Sequence, residues 1–150
     1  MSHYRKIDTR IWNDEKFNSL SLHGKLAFLF ILTHPNMTSL GAMRATIEGL
    51  AAELEVLPEA FREVFRKGLF NVDCNGKMIV VPNFLKYNAP ANPNVVIGWG
   101  TAFDMLPECE SKYKIYQGVK ESIKGFGKGF QEAFSKAFPK EYANTVSSEQ

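Results

Sequence analysis

The chain has 150 residues, 45% hydrophobic and 23% charged, with 18 Lys and Arg against 16 Asp and Glu for a net charge of +2. That apolar content excludes a disordered polymer, no run approaches the ~18 apolar residues of a membrane span, and Met1 to Lys6 leads into no apolar signal region. The length suits one domain of about 100–150 residues with an appendage, and so small a net charge leaves the question of a polyanionic partner to local charge.

In chain order, Asn13 to Phe17 reads as a short capped turn of helix with acids in its first turn. Ser21 to Thr33 reads as a buried helix. Ser21 suits the N-cap, and Leu22, Leu26, Leu29, Phe30 and Thr33 recur on one face. Pro35 pushes His34 out of the helical region and ends it. A short strand is expected near residues 41–44. Thr46 then caps a helix whose stripe is Ile47, Leu50, Ala51 and Leu54. After Glu55-Val56-Leu57, Pro58 suits the first position of a further helix. Its inner face would be Leu57, Phe61, Val64 and Phe65, with Gly68 as the C′ glycine. Two short helices and a tight turn make a helix-turn-helix pattern.

The period then changes. Residues 69–74 and 77–81 flank Asn75-Gly76, the strongest short signal for a hairpin. Helix, strand, two helices and hairpin is the element order of a winged helix. The predicted class is therefore mainly α with a small β-hairpin: a winged helix-turn-helix domain over 1–88 and a C-terminal helical extension. Residues 89–94 form an Asn/Pro-rich loop. The extension, 95–140, holds helices over 95–106 and 111–124 separated by Pro107, then Phe126, Phe130, Phe134 and Phe138 at every fourth residue. Residues 141–150 are expected to be a flexible tail.

No motif points to catalysis. Residues 125–129 lack the last glycine of a dinucleotide fingerprint and follow no strand, and none of the Gly-Lys dipeptides has the surroundings of a phosphate loop. No nucleophile lies in a local signature. The expectation is a protein that is not an enzyme and needs no cofactor. Cys74 and Cys109 have no metal-type spacing and read as free thiols in a reducing compartment, and the three histidines make no zinc pattern. That compartment would be cytoplasmic.

The outer face of the helix after Pro58 is the most functional-looking feature. Arg62, Arg66 and Lys67 could reach base edges or phosphates in a major groove. Against this, Glu59 and Glu63 could pair with those cations along the helix and repel phosphate. Lys77 on the hairpin, Arg44 on the preceding strand and Lys86 beyond it are further candidate DNA contacts. Phe84 and Tyr87 could stack on bases or pack the chain onto its core, and packing is the commoner use. From Lys112 to Lys140 seven lysines stand against two glutamates, a local +5. Lys120, Lys124 and Lys128 share one helical face there. This is either a basic arm or an amphipathic helix whose Phe stripe docks on the domain, a partner or a second copy.

Tyr4-Arg5-Lys6-Ile7-Asp8, Arg10 to Phe17 and Leu32-Thr33-His34-Pro35 resemble the N-terminal domain of phage and prophage replication-initiation (replisome-organiser) proteins. So do Thr38-Ser39-Leu40-Gly41 and Pro82 to Asn88, followed by Asn92 to Val96. The similarity runs from about residue 4 to about residue 140. It implies a winged-helix domain that recognises a replication origin on double-stranded DNA and helps load host replication proteins, in the cytoplasm of a bacterial host. The word "replication" comes from this resemblance alone, and no base-reading residue is carried over from it. Two alternatives stand beside it. One is a winged-helix interaction module, a replication-complex or helicase-loader adaptor without direct DNA contact. The other is a homodimer joined through the C-terminal helices.

Overall fold

The computed structural model describes residues 4–139, so Lys140 and the tail expected at 141–150 lie outside the described residues. The described chain is mainly helical, with a small three-stranded antiparallel sheet. A 3-10 turn, Thr9–Asn13, and a four-residue helix α1, Glu15–Asn18, lead into α2, Leu22–Thr33. Strand β1, Ala42–Arg44, precedes α3, Ile47–Leu54, and α4, Pro58–Arg66. The hairpin is β2, Asn71–Asp73, with β3, Met78–Val80. Then come α5, Phe84–Tyr87, α6, Pro93–Asp104, α7, Glu110–Ile123, and α8, Lys128–Ala137.

Local chemistry fixes most of these boundaries. The Ser21, Thr46 and Asn92 side chains accept the N–H of Gly24, Gly49 and Val95, capping α2, α3 and α6. Glu55 takes a left-handed conformation at the end of α3, and Pro58 starts α4. At the end of α4, Gly68 N–H donates to Phe65 O (2.9 Å) and Leu69 N–H to Val64 O (3.4 Å), the paired bonds of a Schellman stop. Asn75 and Gly76 both sit at positive φ, and Lys77 N–H donates to Cys74 O (3.1 Å) to close the hairpin.

Strand order is β1-β3-β2. Arg44 pairs with Met78, Met43 with Ile79, and Ala42 with Val80, while Val72 lies opposite Ile79 on the other side. Alternation then sends the two faces into different cores. Met43, Ile79 and Val72 join Phe17, Phe28, Ile31, Phe61, Val64 and Phe70 in one core built by α1 to α4. Ala42, Met78 and Val80 join Val96, Trp99, Phe103, Tyr116 and Val119 in a second core built by α6 to α8. The sheet is thus a wall between two helical layers.

Several expectations need correction. In α2 the buried residues are Gly24, Ala27, Phe28 and Ile31, while Leu22 is 79% exposed and Leu26 is exposed as well. The helix is apolar nearly all round, so spacing alone does not choose its inner face. The choice falls to packing against α4, whose Glu63 lies beside Gly24 where a side chain would obstruct it. In α4, Leu57 and Phe65 are exposed, and Ala60 joins Phe61 and Val64 inside. The segment after the hairpin contains α5, and Phe84 is buried in the first core.

The two cysteines are not free thiols. Cys74, on the hairpin turn, is disulfide-bonded to Cys109, beside the start of α7, with Cα atoms 5.6 Å apart. Packing of α6 and α7 over the sheet brings together positions 35 residues apart, and no local spacing announces that. Among the described residues no helix is long and apolar enough to cross a membrane.

Candidate nucleic-acid interface

The residues singled out on sequence grounds fall into three places. Arg62, Arg66 and Lys67 are exposed along α4. Arg44 and Lys77 lie at one end of the sheet, where Arg44 faces Met78 across the ladder and Ala45 N–H donates to Lys77 O (2.9 Å). That end leads directly into α3, whose first-turn Glu48 accepts from Arg62 (3.2 Å). Arg44 and Lys77 therefore lie together, and Arg62 is linked to the helix that follows them. Lys86 does not belong with them, because α5 carries it to a separate cleft.

The charges on α4 are arranged differently from the expected pairing. Arg62 reaches across to Glu48 on α3, and Arg66 bonds Glu59 two turns back on its own helix. Both pairs are solvent-exposed, so each contributes only about 0.2–1 kcal/mol and can be exchanged for a phosphate at little cost. Glu63 is not a partner of Arg66 or Lys67 by hydrogen bond. It accepts Ser21 N–H (2.6 Å) and Ser21 Oγ–H (2.7 Å), while Ser21 Oγ accepts Gly24 N–H (3.1 Å). A capping box ordinarily uses a Glu three residues into the same helix. Here that position is Gly24, and a Cβ on it would lie 2.8 Å from Glu63 Oε2. The carboxylate is supplied by α4 instead. This ties α4 to α2, while the ionised Glu63 stays within electrostatic reach of Arg66 and Lys67.

Hydrogen bonds from Ser21, first the hydroxyl and then the backbone, hold the Glu63 carboxyl below its ordinary value of 4.5. A depressed folded-state pKa contributes stability that is complete above the ordinary value and is lost as pH falls through the folded one. Glu63→Gln is expected to cost about 1 kcal/mol at neutral pH, an allowance already reduced for solvent screening. It should also flatten the loss of stability below pH ~4 relative to the parent. Urea midpoints at pH 7 and on the acid limb measure both effects, and identical acid limbs would remove this role.

The C-terminal residues are placed otherwise than expected. Phe134 and Phe138 are buried in the second core, and Phe126 and Phe130 pack against it. Their rings meet one another and Tyr116 and Phe103 at centroid distances of 4.9–6.0 Å. Of the occupants expected for Phe126, Phe130, Phe134 and Phe138, the domain itself takes up Phe134 and Phe138 fully and Phe126 and Phe130 in part. The lysine run is also less of a surface than its count implies. Lys112 is 3% exposed, with its Nζ 2.5 Å from Glu108 Oε1 and 4.8 Å from the Phe103 ring centre. Lys124 pairs with Glu121 (2.9 Å). Lys120 and Lys124 lie at the end of α7 and Lys128 begins α8, so the three do not share one helix.

The separate cleft, about 580 Å³, runs between the N-terminal segment and α5. Lys6 N–H donates to Asn88 Oδ1 (2.9 Å), and Asn88 Nδ2 returns a bond to Lys6 O (3.4 Å). Arg10 grips Asp8 through Nε and a terminal nitrogen (2.7–3.1 Å), and Asp8 also caps the Arg10 N–H. These bonds hold the Asp8 carboxyl at about 2 and raise the Arg10 guanidinium. Of the two aromatic candidates, Phe84 is core, whereas Tyr87 is 45% exposed with Lys86 Nζ 5.7 Å from its ring centre. Sequence reasoning named Lys86 and Tyr87 but not the Lys6, Arg10 and Lys16 side of this cleft, because contacts across 82 residues leave no local signal. Among the described residues no three His, Cys, Asp or Glu side chains gather to hold a metal. No family model, no curated protein and no solved structure matches this chain.

Proposed function

We propose that the chain is a winged-helix DNA-binding protein of phage or prophage type that acts in replication initiation by recognising origin DNA. Support for the fold half of this reading is the order α2, β1, α3, α4, hairpin, with strand order β1-β3-β2. Replication rests on the resemblance of the segments around residues 4–17, 32–41 and 82–96. Catalysis forms no part of the reading, and neither does a cofactor.

One observation carries the DNA half: α4 presents Arg62, Arg66 and Lys67 to solvent, and the hydrogen bonds of its Glu63 go to Ser21 at the start of α2 rather than to those cations. In a major groove these side chains would contact base edges, with Arg44 and Lys77 on flanking phosphates. The salt slope of log K would be about −0.9 per phosphate neutralised. Replacing Arg62 and Arg66 together by Ala is expected to weaken duplex binding by at least about tenfold. Anisotropy titration on duplexes from the chain's own genomic neighbourhood measures this, and unchanged affinity would remove α4 from the interface.

A second reading, a protein-interaction module within a replication complex, is favoured by the occupation of Arg62 by Glu48 and of Arg66 by Glu59. Absence of any duplex affinity at low salt, with direct binding to a purified replicative helicase or its loader, would select it.

A further inference from the structure

We propose that the cleft between the N-terminal segment and α5 is a binding site for single-stranded nucleic acid, distinct from the α4 face. Four cationic residues line it, Lys6, Arg10, Lys16 and Lys86, with two acidic ones, Asp8 and Asp14. Arg10 already matches Asp8, so the three lysines face one uncompensated acid, Asp14. The lining also holds Tyr87, a residue 45% exposed with Lys86 Nζ 5.7 Å from its ring centre. Lysines that follow a phosphate backbone beside an aromatic ring that takes a base face are the elements of a single-strand site.

Two features select a single strand over a duplex. The surface is concave, with a volume in the range of ligand clefts. Its aromatic platform can be used only by an unstacked base. The walls are also held in place for such a role. Asn88 bonds the Lys6 backbone in both directions, so the two basic walls, 82 positions apart in the chain, are fixed to each other. An acidic peptide would use the lysines but gain little from Tyr87, and that difference separates the two occupants.

The site and the α4 reading fail independently, since Arg62 and Arg66 do not line the cleft. The test is anisotropy of a labelled oligothymidine of about 12 nucleotides, within the site sizes of single-strand binders, on the full chain at low salt. Tyr87→Ala is expected to weaken binding about tenfold and Tyr87→Phe to leave it near the parent, because the ring face does the stacking. Lys6→Ala and Lys86→Ala should each reduce the salt slope by about 0.7. The Arg62→Ala/Arg66→Ala pair should leave this binding unchanged while weakening the duplex.

Circular dichroism checks that each variant is folded. If Tyr87→Ala is not, Lys86→Glu with Lys6→Glu replaces it and is expected to abolish binding. No affinity for the oligonucleotide, parent-like affinity of folded Tyr87→Ala or of the double Glu variant, or displacement of the oligonucleotide by polyglutamate at equal concentration would each overturn the proposal.

Discussion

Reduction of the Cys74–Cys109 bond is expected to destabilise the chain by about 4 kcal/mol and to lower its melting temperature by roughly 10 °C. The figure follows from the separation of 35 positions that the bond spans, whose release enlarges the unfolded ensemble. Melting with and without a dithiol reductant measures it. A Cys74→Ser/Cys109→Ser double variant should melt with the reduced parent and be indifferent to reductant. Thiol titration of the denatured chain should find no free thiol before reduction and two after. Equal melting temperatures in the two conditions, with that thiol count confirmed, would mean that packing alone holds the hairpin turn against α7. The measurement also bears on the proposed setting, because a reducing cytoplasm opposes such a bond. There the protein would work on the stability left after reduction.

Gly41→Ala should be more damaging than an alanine at a glycine of nearly the same backbone conformation. Gly41 has φ +80°, and a Cβ built on it would lie 2.4 Å from the Phe84 Cβ. Gly68 has φ +76° with nothing within 4 Å of such a Cβ. Gly68→Ala therefore meets only the left-handed penalty, about 1–2 kcal/mol. Gly41→Ala meets that penalty and an overpacking cost of about 1–3 kcal/mol, for a total of about 2–5 kcal/mol. Phe84 cannot swing aside, since it is buried against the first core and begins α5. Denaturant midpoints of the two variants isolate the steric part as their difference. If Gly41→Ala were as mild as Gly68→Ala, the close approach of β1 to α5 would be looser than the geometry shows.

Elements with local chemistry were legible in the sequence. Ser21, Thr46, Pro58, Gly68 and Asn75-Gly76 act through bonds or φ angles within a few residues, and all of them mark the boundaries expected of them. The inner face of α2 was not legible, because a helix with apolar residues on every side has no preferred face until a neighbour supplies one. Glu63 shows the same limit at the candidate interface. Its spacing from Arg66 and Lys67 suggests a pair along one helix, yet a stronger acceptor role at Ser21 was available from α2. The spacing of the Phe stripe left its occupant open between the domain, a partner and a second copy, because the packing against α6 and α7 depends on how the sheet divides the molecule. The Lys6–Asn88 contact and the disulfide are long-range products of packing and leave no trace in local pattern.

The three residues of β3 tie the fate of the two helical layers together. Ile79 belongs to one core, and its neighbours Met78 and Val80 to the other. A slip of one residue in the pairing would exchange them and spoil both interiors at once. Neither layer can melt away and leave the other intact, because each would strip one side of the same strand and expose Met43 and Ile79, or Ala42 and Met78, to water. The chain should therefore unfold in one cooperative transition, with calorimetric and van't Hoff enthalpies in agreement, although it is built around two separate cores.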